Sequence, residues 1–203
     1  MIAPESVSFI VQQETGGEGY YAKVACHPVW PGGASGVTIG VGYDLGQNHS
    51  AQFQADWGGA LDAATLARLA AICGLSGPAA EAEIAGLKDI VIPFATATQV
   101  FQASTLPKYE AMTLNAFPGL SSLHPLCVGA MVSLVYNRGP GLVGDSRTEM
   151  KAIHDLIQAG TPQGVPDQFR AMKRLWPNAP GLCARRDAEA TMFQNGLDAM
   201  AVA

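Results

Sequence analysis

Gly36-Val37-Thr38-Ile39-Gly40-Val41-Gly42-Tyr43-Asp44-Leu45-Gly46 is the stretch that decides how the chain folds around its site. The β-branched residues Val37, Thr38, Ile39 and Val41 favour an extended backbone, while Gly40 and Gly42 leave side-chain-free gaps where a ligand or a second backbone can approach. The pattern predicts a short strand lining a groove. No acidic residue lies between Glu18 and Asp44. A site in this region that needs two carboxylates must therefore take Asp44 and one of Glu14 or Glu18.

Toward the N-terminus, Val7, Ile10 and Val11 precede Glu14 at helical spacings, which puts its carboxyl on the apolar face of a first helix. A carboxyl in that position is poorly solvated. Desolvation favours the neutral, proton-donating form that a general acid near neutral pH requires. A solvated residue at the helix end is the alternative. Thr15-Gly16-Gly17 is expected to end the helix.

Glu14-Thr-Gly-Gly followed by Gly36-Val-Thr-Ile-Gly-Val-Gly-Tyr-Asp-Leu-Gly resembles the catalytic segment of phage-type lysozymes, and most closely their pesticin-like muramidase branch. Phage lysozymes carry an Asp between the Glu and the Thr. It is absent here, and the pesticin-like branch places its Asp just after the strand, where Asp44 stands. The resemblance implies Glu14 as general acid, Asp44 as second carboxylate and Thr38 as the residue positioning the attacking water. Glu18-Gly19 also fits the phage Glu-Gly pattern and is the alternative acid. Val132-Ser-Leu-Val-Tyr-Asn-Arg-Gly139 is similar to the family's helix ending in Phe-Asn-x-Gly beneath the cleft. Gly181-Leu-Cys-Ala-Arg-Arg-Asp-Ala-Glu-Ala-Thr-Met-Phe193 is similar to its Gly-Leu-x-x-Arg-Arg-x-x-Glu helix.

The chain has 203 residues, 48 % of them apolar and 14 % charged, which suits one large domain or two packed lobes with a real core. No apolar run approaches the length of a membrane span, and the first residues, Met-Ile-Ala-Pro-Glu-Ser, lack the basic start and apolar run of a signal peptide. The expected site of synthesis is the bacterial cytoplasm, with delivery to the wall by another route, such as a holin, a specialised secretion apparatus or lysis. The formal charge of −5 argues against nucleic acid as the main partner. Eight of the twelve basic residues lie between Arg138 and Arg186, so one face can be locally positive toward an anionic polymer such as peptidoglycan, with ordinary solvated helix faces as the alternative. Cys26, Cys73, Cys127 and Cys183 are scattered without a C-x-x-C pair, and the four histidines show no ligand spacing, so no metal site is expected. Two disulfides or four free thiols fit the pattern equally.

Pro4 opens the first helix. From Gly16 to Leu45 the chain is rich in Gly and Pro and predicts a small β-hairpin lobe. Tyr20, Tyr21, Trp30 and Tyr43 fall in it, either as flat platforms for sugars or as core. Beyond Asn48 the pattern is helical: Asp62 as N-cap of Ala63 to Cys73, a short helix from Pro78 to about Leu87, and Phe94 to Ser104 with a break or kink at Pro107. Pro125 opens the most apolar helix, ending at Asn137 and Arg138, which either face the cleft or serve as a polar C-cap before Gly139. Asp145 or Ser146 is expected to cap the next helix. In the last helix Arg185 and Arg186 can pair with Glu189 on one surface.

These expectations add up to an α+β, lysozyme-like fold. It would be a single domain over 1–203, with a small β-hairpin lobe at about 15–60, a helical lobe at about 61–203 joined by helix 1–14, and a cleft between the lobes. The expected activity is hydrolysis of the β-1,4 bond between N-acetylmuramic acid and N-acetylglucosamine by Glu14, Asp44 and Thr38, with inversion and without metal or organic cofactor. Tyr43, Tyr21, Asn137 and Arg138 are the expected substrate contacts. Peptidoglycan is the expected partner, with a cognate immunity protein or a delivery system beside it, and neither nucleic acid nor membrane. The rivals are a Cys/His peptidase seeded by Cys26-His27, and a non-catalytic carbohydrate-binding module on the same fold.

Overall fold

The computed structural model describes residues 2–202, so Met1 and Ala203 of the expected domain lie outside the described residues. The described residues are mostly helical with one two-stranded antiparallel sheet, an α+β composition. Its residues cluster into two compact units, one from Val11 to Pro107 and one made of the residues up to Ile10 together with Lys108 onward.

The unit Val11–Pro107 begins in helix α1 (Pro4–Thr15). That helix ends as the sequence predicts. Gly16 N donates to Gln12 O (3.0 Å) and Gly16 takes φ +68°, a left-handed cap that costs glycine little. The Thr15 hydroxyl, buried, donates to Val11 O (2.7 Å) and accepts from Gly17 N (3.1 Å). A single helical turn at Glu18–Tyr20, a π turn at Tyr21–Ala25 and a loop lead to strands β1 (Thr38–Ile39) and β2 (Tyr43–Asp44), with α2 (Ser50–Trp57), α3 (Ala63–Ala70), α4 (Pro78–Glu83) and α5 (Phe94–Val100) completing the unit. Asp62 caps α3 as predicted, accepting from Ala64 N and Thr65 N at 3.0 Å each.

The strand predicted over 36–46 is instead a tight hairpin. Thr38 pairs with Asp44 and Ile39 with Tyr43 across the loop Gly40-Val41-Gly42. Gly40 takes φ +58° and Gly42 φ +69°, which is why this turn needs them. The gap at Gly40 is filled by protein rather than ligand: a Cβ there would meet Trp57 Cη2 at 2.8 Å. Tyr43, Phe53 and Trp57 form an aromatic cluster behind the hairpin, Tyr43 edge-on to Trp57 at 5.7 Å and Phe53 stacked on Trp57 at 6.3 Å.

Pro107 does not break its helix. A π turn at Phe101–Thr105 joins α5 directly to α6 (Leu106–Ala116). The wide turn falls where the proline ring would otherwise meet the carbonyl of Ala103, the residue four before it.

In the other unit α7 (Pro125–Arg138) is the buried centre, with every residue from Cys127 to Val135 buried. His124 Nδ1 accepts from Leu126 N (3.2 Å) and caps it. Helices α8 (Thr148–Gln158), α9 (Val165–Ala171) and α10 (Pro180–Ala201) follow. Asp145 does not cap α8 with its carboxylate, which lies 3.3 Å from Arg174 Nη1. Small residues let α7 pack closely. A Cβ at Gly196 of α10 would sit 2.5 Å from Cys127 Sγ, and one at Gly129 would sit 2.0 Å from Ser6 Oγ. The Arg185, Arg186 and Glu189 cluster, expected on a surface, is buried. Glu189 Oε1 accepts from Ser133 Oγ (2.6 Å), Arg185 Nε (3.2 Å) and Arg186 Nη2 (2.8 Å), tying α10 to α7. All four cysteines are free thiols, and burial pushes the Cys127 thiol up to about 12.

Candidate functional site

Alternation along the hairpin sorts its side chains into two faces. Ile39 and Tyr43 point into the core, 1 % and 5 % exposed. Thr38 and Asp44, both half-buried, share the other face as directly opposed residues, whose Cβ atoms in such a pair are about 4.5–5.5 Å apart. Val29 extends that face. It bridges to Thr38 on the side away from Asp44, with Thr38 N donating to Val29 O (2.7 Å) and Val29 N to Thr38 O (3.0 Å).

Asp44 is held at the turn. Its Oδ1 accepts from Gly46 N (2.7 Å), and its Oδ2 from Gly36 N (3.4 Å) and Gln47 Nε2 (3.3 Å). A carboxylate offers about four acceptor positions, so roughly one stays open to a further donor such as water. The backbone crowds this carboxylate closely enough to explain two glycines of the motif. A Cβ at Gly36 would lie 2.3 Å from Gly46 N and 2.4 Å from Asp44 Oδ1, and one at Gly46 would lie 2.6 Å from Leu75 O.

Glu14 stands on the last turn of α1, in the same unit as Thr38 and Asp44. It is half-buried, following Ile10 and Val11, which are 0 % and 6 % exposed. Glu18, the alternative acid, is exposed in a single helical turn, Glu18–Tyr20.

The predicted aromatic contacts divide differently from the expectation. Tyr43 is buried and its hydroxyl donates to Asp56 Oδ2 (2.9 Å). Burial and that hydrogen bond hold the phenol in its neutral form, its pKa far above the ordinary value. Tyr21 is fully buried, edge-on to Phe94 at 5.3 Å. Tyr20, by contrast, is 56 % exposed and lies against Gly16, where a Cβ would meet its Cδ1 at 3.0 Å. Tyr20 is thus the accessible ring next to the turn that follows Glu14. Adjacent helical residues point about 100° apart, so only the phase of the turn separates the two tyrosines.

Asn137 and Arg138 end α7 and belong to the other unit. Asn137 is exposed. Arg138 donates to Ser146 O (2.5 Å) and Met172 Sδ (3.3 Å), and its Cζ lies 4.9 Å from the centre of the Trp176 ring.

Cys26 and His27 are engaged with different partners. Cys26 Sγ, buried, donates to Ala22 O (3.3 Å), and His27 Nδ1 lies 2.8 Å from Ile90 O. Among the described residues no three His, Cys, Asp or Glu side chains are grouped to hold a metal ion, and no helix is long and apolar enough to cross a membrane. Two surface depressions in Val11–Pro107, one along Phe94, Thr98 and Gln102 and one along Ser50, Gln54, Leu66 and Ala70, carry no ionisable side chain.

No curated protein matches the chain. A family match covers residues 7–113, a span that includes Glu14, Thr38, Asp44, Tyr21 and Tyr43 but not Asn137 or Arg138. By that match over more than half its length, the chain belongs to the family described as Domain of unknown function (DUF8812).

Proposed function

We propose that the chain is a lysozyme-like muramidase that hydrolyses the β-1,4 bond between N-acetylmuramic acid and N-acetylglucosamine in peptidoglycan. The observation that carries this reading is the hairpin register. It sets the Thr38 hydroxyl and the Asp44 carboxylate side by side on the half-exposed face, with about one acceptor position of Asp44 still open. A water held between a hydroxyl and a carboxylate is the nucleophile that an inverting glycosidase needs. Glu14, half-buried on the last turn of α1, is assigned the complementary task of protonating the leaving oxygen. Tyr20 adds an exposed ring for stacking on a sugar face. Two carboxylates and a positioned water supply the chemistry, so the reaction as proposed routes no step through a cofactor.

The test is release of reducing ends from purified peptidoglycan by the parent chain and by Glu14→Gln, Glu18→Gln, Asp44→Asn and Cys26→Ser. General acid–base groups contribute about 10²–10⁴-fold. Losses of that size in Glu14→Gln and Asp44→Asn, with Cys26→Ser unchanged, support the muramidase. Activity that survives Glu14→Gln and falls in Glu18→Gln moves the acid to Glu18. Proton NMR of the first product anomer then distinguishes inversion, which the family resemblance favours, from retention.

A non-catalytic carbohydrate-binding module on the same scaffold is the second reading, favoured by the three hydrogen bonds that already occupy Asp44. Binding to peptidoglycan without release of reducing ends identifies it.

A further inference from the structure

The basic residues beyond Lys108 are unequally served by counter-charge. Arg174 is paired with Glu149 and Asp145, Arg185 and Arg186 share Glu189, Lys173 pairs with Asp187 at 2.8 Å and Arg170 with Asp167 at 3.1 Å. Arg138 and Arg147 are the exceptions. Both are half-buried, and among the described residues neither has a carboxylate within ion-pair distance.

What they touch is neutral. Arg138 reaches Ser146 O, Met172 Sδ and the Trp176 face, while Arg147 donates to Met150 Sδ (3.2 Å). A thioether is a weak acceptor, and each guanidinium carries five N–H donors, so most of their donor capacity is unspent. The surroundings make the deficit worse. Burial and the nearby Arg147, Arg186 and Arg174 push the Arg138 guanidinium down to about 10, with only Glu149 pulling the other way. It remains a cation at neutral pH. A desolvated cation among like charges is costly unless an anion completes it. The two arginines lie at either end of one connection, Arg138 closing α7 and Arg147 in the 3₁₀ turn Asp145–Arg147 that leads to α8. Exposed Asn137 stands beside the first.

We propose that Arg138 and Arg147 form an oxyanion-binding site, and that its ligand is a carboxylate of the peptide stems of peptidoglycan. The choice of ligand rests on the muramidase reading, whereas the oxyanion site rests on the unmatched guanidiniums alone. Planar forked donors suit a carboxylate, which they can grip through two parallel hydrogen bonds.

The site is tested first with small probes. The Arg138 guanidinium lies over the Trp176 ring, so acetate or inorganic phosphate, titrated at constant ionic strength, should change tryptophan emission saturably. The change should be lost in Trp176→Phe and weakened about tenfold in Arg147→Gln. No saturable change in the parent chain overturns the site.

The ligand is tested by co-sedimentation of the full chain carrying Glu14→Gln with peptidoglycan stripped of phosphate-bearing polymers. Amidation of the stem carboxylates and Arg147→Gln should each weaken binding about tenfold, and the two together no more than either alone. Arg138→Gln should do the same. If that variant does not fold, Arg147→Gln at unchanged melting temperature and the amidated wall decide. Binding indifferent to both, or binding that needs the phosphate polymers, overturns the carboxylate assignment. These outcomes are separate from catalysis. Reducing ends released normally with arginine-independent binding sinks this inference alone, while arginine-dependent binding without reducing ends sinks the muramidase.

Discussion

Replacing Gly36 with alanine asks whether the backbone of the hairpin is what holds Asp44. The added methyl would lie 2.3 Å from Gly46 N, 2.5 Å from Gly46 Cα and 2.4 Å from Asp44 Oδ1, and two of these neighbours are backbone that cannot swing away. Overpacking of this kind costs about 1–3 kcal/mol. Displacing Asp44 also forfeits the charge-assisted bond from Gly46 N, about 1.5–3 kcal/mol more, for a total of about 2.5–6 kcal/mol. In a chain of this size, at about 2–4 °C per kcal/mol, the melting temperature should fall by about 5–24 °C. Gly59→Ala is the matched control, because nothing lies within 4 Å of its added methyl. It should change stability by under about 1 kcal/mol, in either direction. Differential scanning calorimetry of the two variants makes the comparison. A Gly36→Ala chain melting within about 2 °C of the parent would refute the close approach of Gly36, Asp44 and Gly46, and with it the fixed placement of the carboxylate.

Glu189→Gln removes the charge that Arg185 and Arg186 share in the buried contact of α10 with α7, and should cost about 3–5 kcal/mol, read by urea denaturation. A loss under about 1 kcal/mol would mean that the charge of Glu189 is dispensable there. Arg68→Gln tests a surface pair with a defined pH signature. The Arg68 guanidinium holds Asp89 down to about 2, so the folded state binds that proton less readily than the unfolded chain. The contribution is present above the ordinary aspartate range near pH 4 and is lost as pH falls toward 2. The parent's melting temperature should therefore fall more steeply than the variant's between about pH 4 and pH 2, and parallel curves would contradict the pairing.

Local rules read the ends of elements well and their partners poorly. Thr15-Gly16 as the stop of α1, Asp62 as the cap of α3 and Pro125 as the start of α7 are decided within one turn of chain, and the structure has each of them. Gly40 was ambiguous because a glycine in a β-branched run marks either a turn or a gap for a neighbour. The choice depended on Trp57, whose ring fills the space from a helix further along the chain. Pro107 follows the same logic: the rule that proline ends a helix holds for an unbroken α ladder, and the π turn before it changes the ladder. Burial of the Arg185–Arg186–Glu189 cluster was equally hidden, because the i,i+3 and i,i+4 spacings give the pairing but not what covers it.

The candidate site shows the same division, with consequences for where function is sought. Thr38 and Asp44 are six residues apart, an even separation that in a single strand would put them on one face; in the hairpin they share a face because they are opposed. The juxtaposition is therefore a product of the turn, and the glycines that make the turn are as necessary to the site as the carboxylate. Tyr43 adjoins Asp44 and for that very reason points the other way, into the core and onto Asp56. A ring next in sequence to a site residue on a strand cannot line the same surface. The accessible aromatic has to come from a different element, and Tyr20, on the turn after Glu14, meets that condition.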